Sequence, residues 1–89
     1  MPRICEFLGI FIYMYFDDAN RHHRPHVHVR YGEYKAVFDI ETGDLLAGRI
    51  KTKQASLIKT WIAVRRKELR QNWERARIGV PLEKIDPLS

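Results

Sequence analysis

Cysteine is almost missing from this chain: the single Cys5 in 89 residues excludes an internal disulfide. No run of about 18 apolar residues occurs, which excludes a membrane-spanning helix. No basic, apolar and small-residue leader opens the sequence, so a cytoplasmic location is expected. Internal repeats, linkers and low-complexity segments are lacking too, and the length leaves no room for a second core, so a single domain over 1–89 is expected. Acidic residues are scarce in one stretch. Over 49–77, ten Lys or Arg face only Glu68 and Glu74, a net charge of +8, while the remainder carries −3 of the total +5. One end of the molecule is therefore basic, which suits a nucleic acid or an acidic partner protein. No cofactor and no membrane partner are implied, and no feature sets an oligomeric state.

What is present is bulk. Two Trp, four Tyr and four Phe give a small core enough volume to close. The segment 6–16 reads as a strand with Ile10, Ile12, Met14 and Phe16 on one side and Phe11, Tyr13 and Tyr15 on the other. Two apolar faces predict a strand interior to the sheet or covered on both sides, with the three aromatic residues serving as core rather than as a base-stacking platform. Residues 17–24 lack periodicity and end at Pro25, so they read as a loop. In 26–31, Val27, Val29 and Tyr31 alternate with His26, His28 and Arg30, a half-exposed strand with one polar face. Gly32-Glu33 fits a two-residue hairpin loop. A return strand over 34–40 then pairs Tyr31 with Tyr34, Arg30 with Lys35, His28 with Val37 and His26 with Asp39. Glu41-Thr42-Gly43 supplies the next turn, and a short fourth strand begins at Asp44 and ends at Gly48 or Ile50.

From Thr52, read as an N-cap, the period becomes helical and runs over about 53–77, with Gly79 and Pro81 as the stop. Leu57, Ile58, Trp61, Ile62, Val64, Leu69, Trp73 and Ala76 fall in one arc that must face the sheet, with Glu68 and Asn72 inside it. The tail, 80–89, offers Leu82, Ile85 and Leu88 to a groove. The fold class expected is α+β: a four-stranded antiparallel meander within 6–50, packed against one long C-terminal helix with a short tail.

All four histidines lie within 20–36, where the sharpest chemistry is concentrated. His26 and His28 share a strand face, the placement two metal ligands would use, with Asp39, His23 or Asp18 to complete a set. A bare His-x-His on a polar strand face is a weak signal, and the expectation is that no metal is bound. Alternatively, either imidazole could act as general base or acid, with Asp39 orienting it and Arg30 or Arg65 holding a phosphate. That reading makes the chain a small RNase. The bland counterpart is a cross-strand His and Asp pair that stabilises the sheet by roughly 0.2–1 kcal/mol. On the helix, Lys59, Arg66, Arg70 and Arg77 fall within about 40° of one another, a stripe that could follow phosphates or simply be solvated.

The strings Pro25-His26-Val27-His28-Val29 and Tyr31-Gly32-Glu33-Tyr34-Lys35-Ala36 resemble the bacterial family of unknown function DUF4160. Met14-Tyr15-Phe16-Asp17-Asp18 is similar as well, as are Trp61, Glu68-Leu69, Asn72-Trp73-Glu74 and the closing Pro-Leu-Glu-Lys-Ile-Asp-Pro-Leu. The resemblance implies a small bacterial protein of a toxin-antitoxin-like gene pair, and the charge pattern adds the expectation that it acts by binding nucleic acid or a partner protein through the basic helix. It also implies a helical histidine where this chain has Arg65, a departure that weakens schemes needing a third imidazole.

Overall fold

The structure, a computed structural model, describes residues 2–16 and 24–88. Five strands, β1 (Arg3–Phe7), β2 (Ile10–Tyr13), β3 (His26–Tyr31), β4 (Tyr34–Asp39) and β5 (Leu45–Gly48), are followed by two helices, α1 (Thr52–Val64) and α2 (Arg66–Ile78). The strands form one antiparallel sheet in chain order. The α+β class holds, with five strands in place of four and two helices in place of one.

The additional strand arises because 6–16 is not continuous. Leu8 and Gly9 both take positive φ, 51° and 79°, and fold the segment into a hairpin that pairs Phe7 with Ile10. Two left-handed residues are what the favoured two-residue hairpin loop requires, but leucine is a poor choice for the first of them, so the sequence carries only half a turn signal. The expected β3–β4 hairpin is present in the expected register, from Tyr31 opposite Tyr34 to His26 opposite Asp39. Its loop places Gly32 at φ 60°.

Helix α1 begins one residue earlier than expected of a Thr52 cap. Lys51 occupies the cap with no side-chain bond, and Thr52 is already helical. The long helix breaks at Arg65, where φ is −106° and ψ is 18°. Backbone bonding nevertheless continues across the break, from Arg65 N–H to Trp61 O and from Leu69 N–H to Arg65 O, both 2.9 Å. Neither glycine nor proline marks this bend. It coincides with polar contacts of the Arg65 guanidinium, to the Pro87 carbonyl at 3.2 Å and Glu68 at 3.8 Å. Val64, at the bend, is turned outward from the expected arc to 55% exposure. Helix α2 ends as read, at Gly79 with φ 83°, and Val80 N–H closes the end on Arg75 O.

Both helices cover one sheet face. Ile10, Ile12, Val27, Val29, Ala36 and Phe38 meet Ile58, Trp61, Ile62, Leu69 and Trp73 there. A register shift between Arg3 and Cys5 turns consecutive residues Ile4 and Cys5 inward. The tail returns as expected: Ile85 is buried, Leu82 and Leu88 pack partly against the core, and Ile85 N–H bonds to Ile4 O at 2.8 Å. Trp61 Nε1–H donates to Asp86 O at 2.8 Å. Asn72, the polar residue inside the apolar arc, is buried and clamps the tail at both polar groups of Glu83. Its Nδ2 donates to Glu83 O at 2.8 Å, and its Oδ1 accepts Glu83 N–H at 2.9 Å.

Candidate functional site

Strand alternation puts Phe11, Tyr13, His28, Arg30, Lys35 and Val37 on the sheet face away from the helices. Their pairing draws two rows across the sheet: Phe11–Arg30–Lys35, and Tyr13–His28–Val37–Ala47. This face is open. Phe11, Tyr13, Tyr15 and His28 are half-buried, and Arg30 and Lys35 are exposed. Strand β2 is thus interior to the sheet, the first of the two placements expected of its apolar faces, but the aromatic residues on its far side are half-buried rather than core. Tyr15 stacks on His28 with ring centroids 4.4 Å apart and planes 13° from parallel. A cleft of about 370 Å³ is bounded by Tyr13, Tyr15, His28, Arg30, Lys35 and Val37 among others, with no carboxylate among the described residues of its lining. That is near the lower end of the roughly 300–1,000 Å³ usual for ligand pockets.

The histidine strand divides between two environments. His28 lines the cleft, whereas His26 is buried to 1% exposure, as is Asp39 opposite it, so this end of the face is not the half-exposed surface expected. Burial there comes from Trp73, whose ring lies 5.1 Å from that of His26. His26 Nδ1 donates to the Arg24 carbonyl at 2.7 Å, and the Arg24 guanidinium pairs with Asp39 Oδ2 at 3.0 Å. Asp39 Oδ1 accepts the N–H groups of Glu41 and Thr42 at 2.7 and 3.1 Å. These contacts make Asp39 the residue that shapes the β4–β5 turn, and they account for a buried carboxylate without assigning it chemistry. Among the described residues no three His, Cys, Asp or Glu side chains gather as a metal set. His23 and Asp18 lie outside the described residues.

The helical cations largely have work inside the molecule. Arg66 Nε donates to Ile40 O at 2.9 Å. Arg70 grips Glu41 with two nitrogens, and Arg77 pairs with Glu74 at 2.7 Å. Of the expected stripe, Lys59 is left exposed. The guanidinium of Arg70 holds the Glu41 carboxyl below the usual carboxylate range, and Arg77 does the same for Glu74. Burial pushes the Cys5 thiol up, which keeps it protonated and unreactive.

Sequence reasoning singled out the histidines, Asp39 and the helix stripe. It did not assemble Tyr13, Tyr15, Arg30 and Lys35 into a site. The signal was available in the pairing register: Arg30 was already expected opposite Lys35, which sets two like charges side by side. Missing was the knowledge that, among the described residues, both helices lie on the other face.

Fold and cleft together define a small α+β protein with helices on one face of an antiparallel sheet and an aromatic, cationic surface on the other. The chain belongs to the family described as a domain of unknown function, DUF4160, whose model matches residues 9–74. No curated protein and no solved structure was found to match it.

Proposed function

We propose that this protein binds nucleic acid, and that the contact lies around the β3–β4 hairpin and the open sheet face rather than along the helix stripe. The observation that carries the reading is the directly opposed pair Arg30 and Lys35. Like charges facing each other on adjacent strands destabilise a sheet, and among the described residues no carboxylate lines the cleft between them to offset the repulsion. An anionic ligand would. Arg49 continues the same positive zone, its N–H bonded to Lys35 O at 2.8 Å. Two of the four stripe residues, Arg70 and Arg77, are meanwhile paired with carboxylates, and Arg66 Nε is bonded to the Ile40 carbonyl.

Affinity for RNA and DNA oligonucleotides measured across a salt series tests the reading. Binding should weaken with salt, and the double variant Arg30→Gln with Lys35→Gln should flatten the slope of log K against log salt by roughly 1.4 on a single strand or 1.8 on a duplex, the loss of two phosphate contacts. Arg66→Gln should leave the slope unchanged. An unaltered slope in the double variant would move the site elsewhere, and absence of binding at low salt would refute the function.

A further inference from the structure

We infer that the ligand of the open face is single-stranded nucleic acid, with unpaired bases stacking on Tyr13 and on the Tyr15–His28 pair while their phosphates lie along Arg30 and Lys35. This rests on the nucleic-acid reading above and adds the state of the strand. Cations alone would accept a duplex. Half-buried rings set into a cleft beside them would gain nothing from one, because paired bases keep their faces inside the helical stack. Unpaired bases can be splayed onto an aromatic platform, and every base has a face to stack.

The spacing agrees with this division of labour. The Tyr13–His28 row and the Phe11–Arg30–Lys35 row are two residues apart along the strands, so they stand roughly 7 Å from each other. A base and its own phosphate are separated on the same scale. Tyr15 and His28, nearly parallel at 4.4 Å, present a flat stack larger than either ring. Charge complementarity selects the occupant: among the described residues the cleft lining contains Arg30 and Lys35 and no acidic side chain. The nearest carboxylate along the cationic row, Glu6 opposite Phe11, is paired with Arg3 at 3.3 Å.

Fluorescence anisotropy on the intact chain, using labelled single-stranded RNA, single-stranded DNA and a duplex of the same sequence, distinguishes the possibilities. Single strands should bind at least about tenfold more tightly than duplex. Tyr15→Leu, or Tyr13→Leu if the first variant loses its native tryptophan fluorescence, should weaken single-strand binding on the order of 10- to 100-fold, the range for losing one stacked base. Tyr15→Phe should stay within about twofold, since a phenyl ring stacks as well. Duplex bound as tightly as single strands, or leucine variants that bind like wild type, would overturn the inference. If Arg30→Gln with Lys35→Gln still weakened binding in that case, the nucleic-acid function would survive as phosphate recognition alone. Polyaspartate displacing the oligonucleotide at equal charge would identify an acidic protein as the better ligand and refute both readings.

Discussion

Replacing Lys35 with glutamate should make the protein more stable and less able to bind. Arg30 and Lys35 are direct cross-strand neighbours, both exposed, and opposed like charges destabilise such a pair by an amount similar to what opposite charges contribute, about 0.2–1 kcal/mol. Reversing one sign removes the first effect and adds the second. Solvent screening keeps the total near the low end, so the net gain expected is about 0.5 kcal/mol. For a domain of this size that corresponds to a rise of roughly 2–4 °C in melting temperature. Urea denaturation and thermal melts on Lys35→Glu, Lys35→Gln and wild type would read it. The glutamine variant should fall between the other two, and the spread should narrow in about 1 M salt, where the screening length is near 3 Å. Oligonucleotide affinity should run in the opposite order, with glutamate weakest. A glutamate variant that melts lower than wild type would show that the pair is not in repulsion. One that binds as well as wild type would show that Lys35 does not face the ligand.

Four further outcomes are expected. Asn72→Ala removes two part-buried hydrogen bonds to the Glu83 backbone and should cost about 1–3 kcal/mol, with faster hydrogen exchange at the Ile85 amide; unchanged exchange would show that the clamp does not hold the tail. Trp61→Ala should cost roughly 3–5 kcal/mol, a large part of the stability of so small a domain, and a near-native melting temperature would contradict the packing described. Glu41→Gln should be slightly less stable than wild type at pH 7. Because pairing with Arg70 depresses the folded-state pKa of Glu41, that advantage is present above its ordinary value of 4.5 and should vanish as the pH falls through the lower folded value; a difference persisting in strong acid would exclude the ion pair as its source. Gly48→Ala would drive a Cβ to 2.2 Å from the Lys35 carbonyl oxygen at a φ of 82°, so it should destabilise by more than about 1 kcal/mol and loosen β5, as amide exchange in β4 would report.

The parts of the fold that were readable are those where local chemistry and tertiary packing agree. The hairpin register from His26 to Asp39 follows from a glycine at the loop and from Val27 and Val29 needing the core side, and it is the register observed. Gly79 and the buried Trp61 and Trp73 were legible for similar reasons. The β1–β2 turn was not, because Leu8 takes a left-handed conformation that its side chain disfavours. Nor was the bend at Arg65, which has no helix-breaking residue. The site was legible in its pairs and illegible in its exposure. A strand of alternating aromatic and aliphatic residues has the same pattern whether one layer or two cover it, and only the placement of both helices on the Val27 side decides which. Asp39 shows the reverse case: its position opposite His26 was correct, while its commitment to the N–H groups of the following turn emerges from backbone geometry.

The closing segment has a consequence for how the molecule comes into being. Ile85 meets Ile4, Lys84 reaches the Arg3 carbonyl, and Asn72 and Trp61 both wait for the backbone of residues 83–86. Those residues follow the sheet and both helices along the chain, so the sheet and helices can assemble before the outer edge of β1 has a neighbour. Until the tail docks, that edge presents its carbonyls to any extended chain nearby. Closure joins groups some eighty positions apart, the slowest kind of contact to form. It should therefore be the last step of folding and the first to open, and a nascent or clipped chain lacking it would be the form most prone to aggregate.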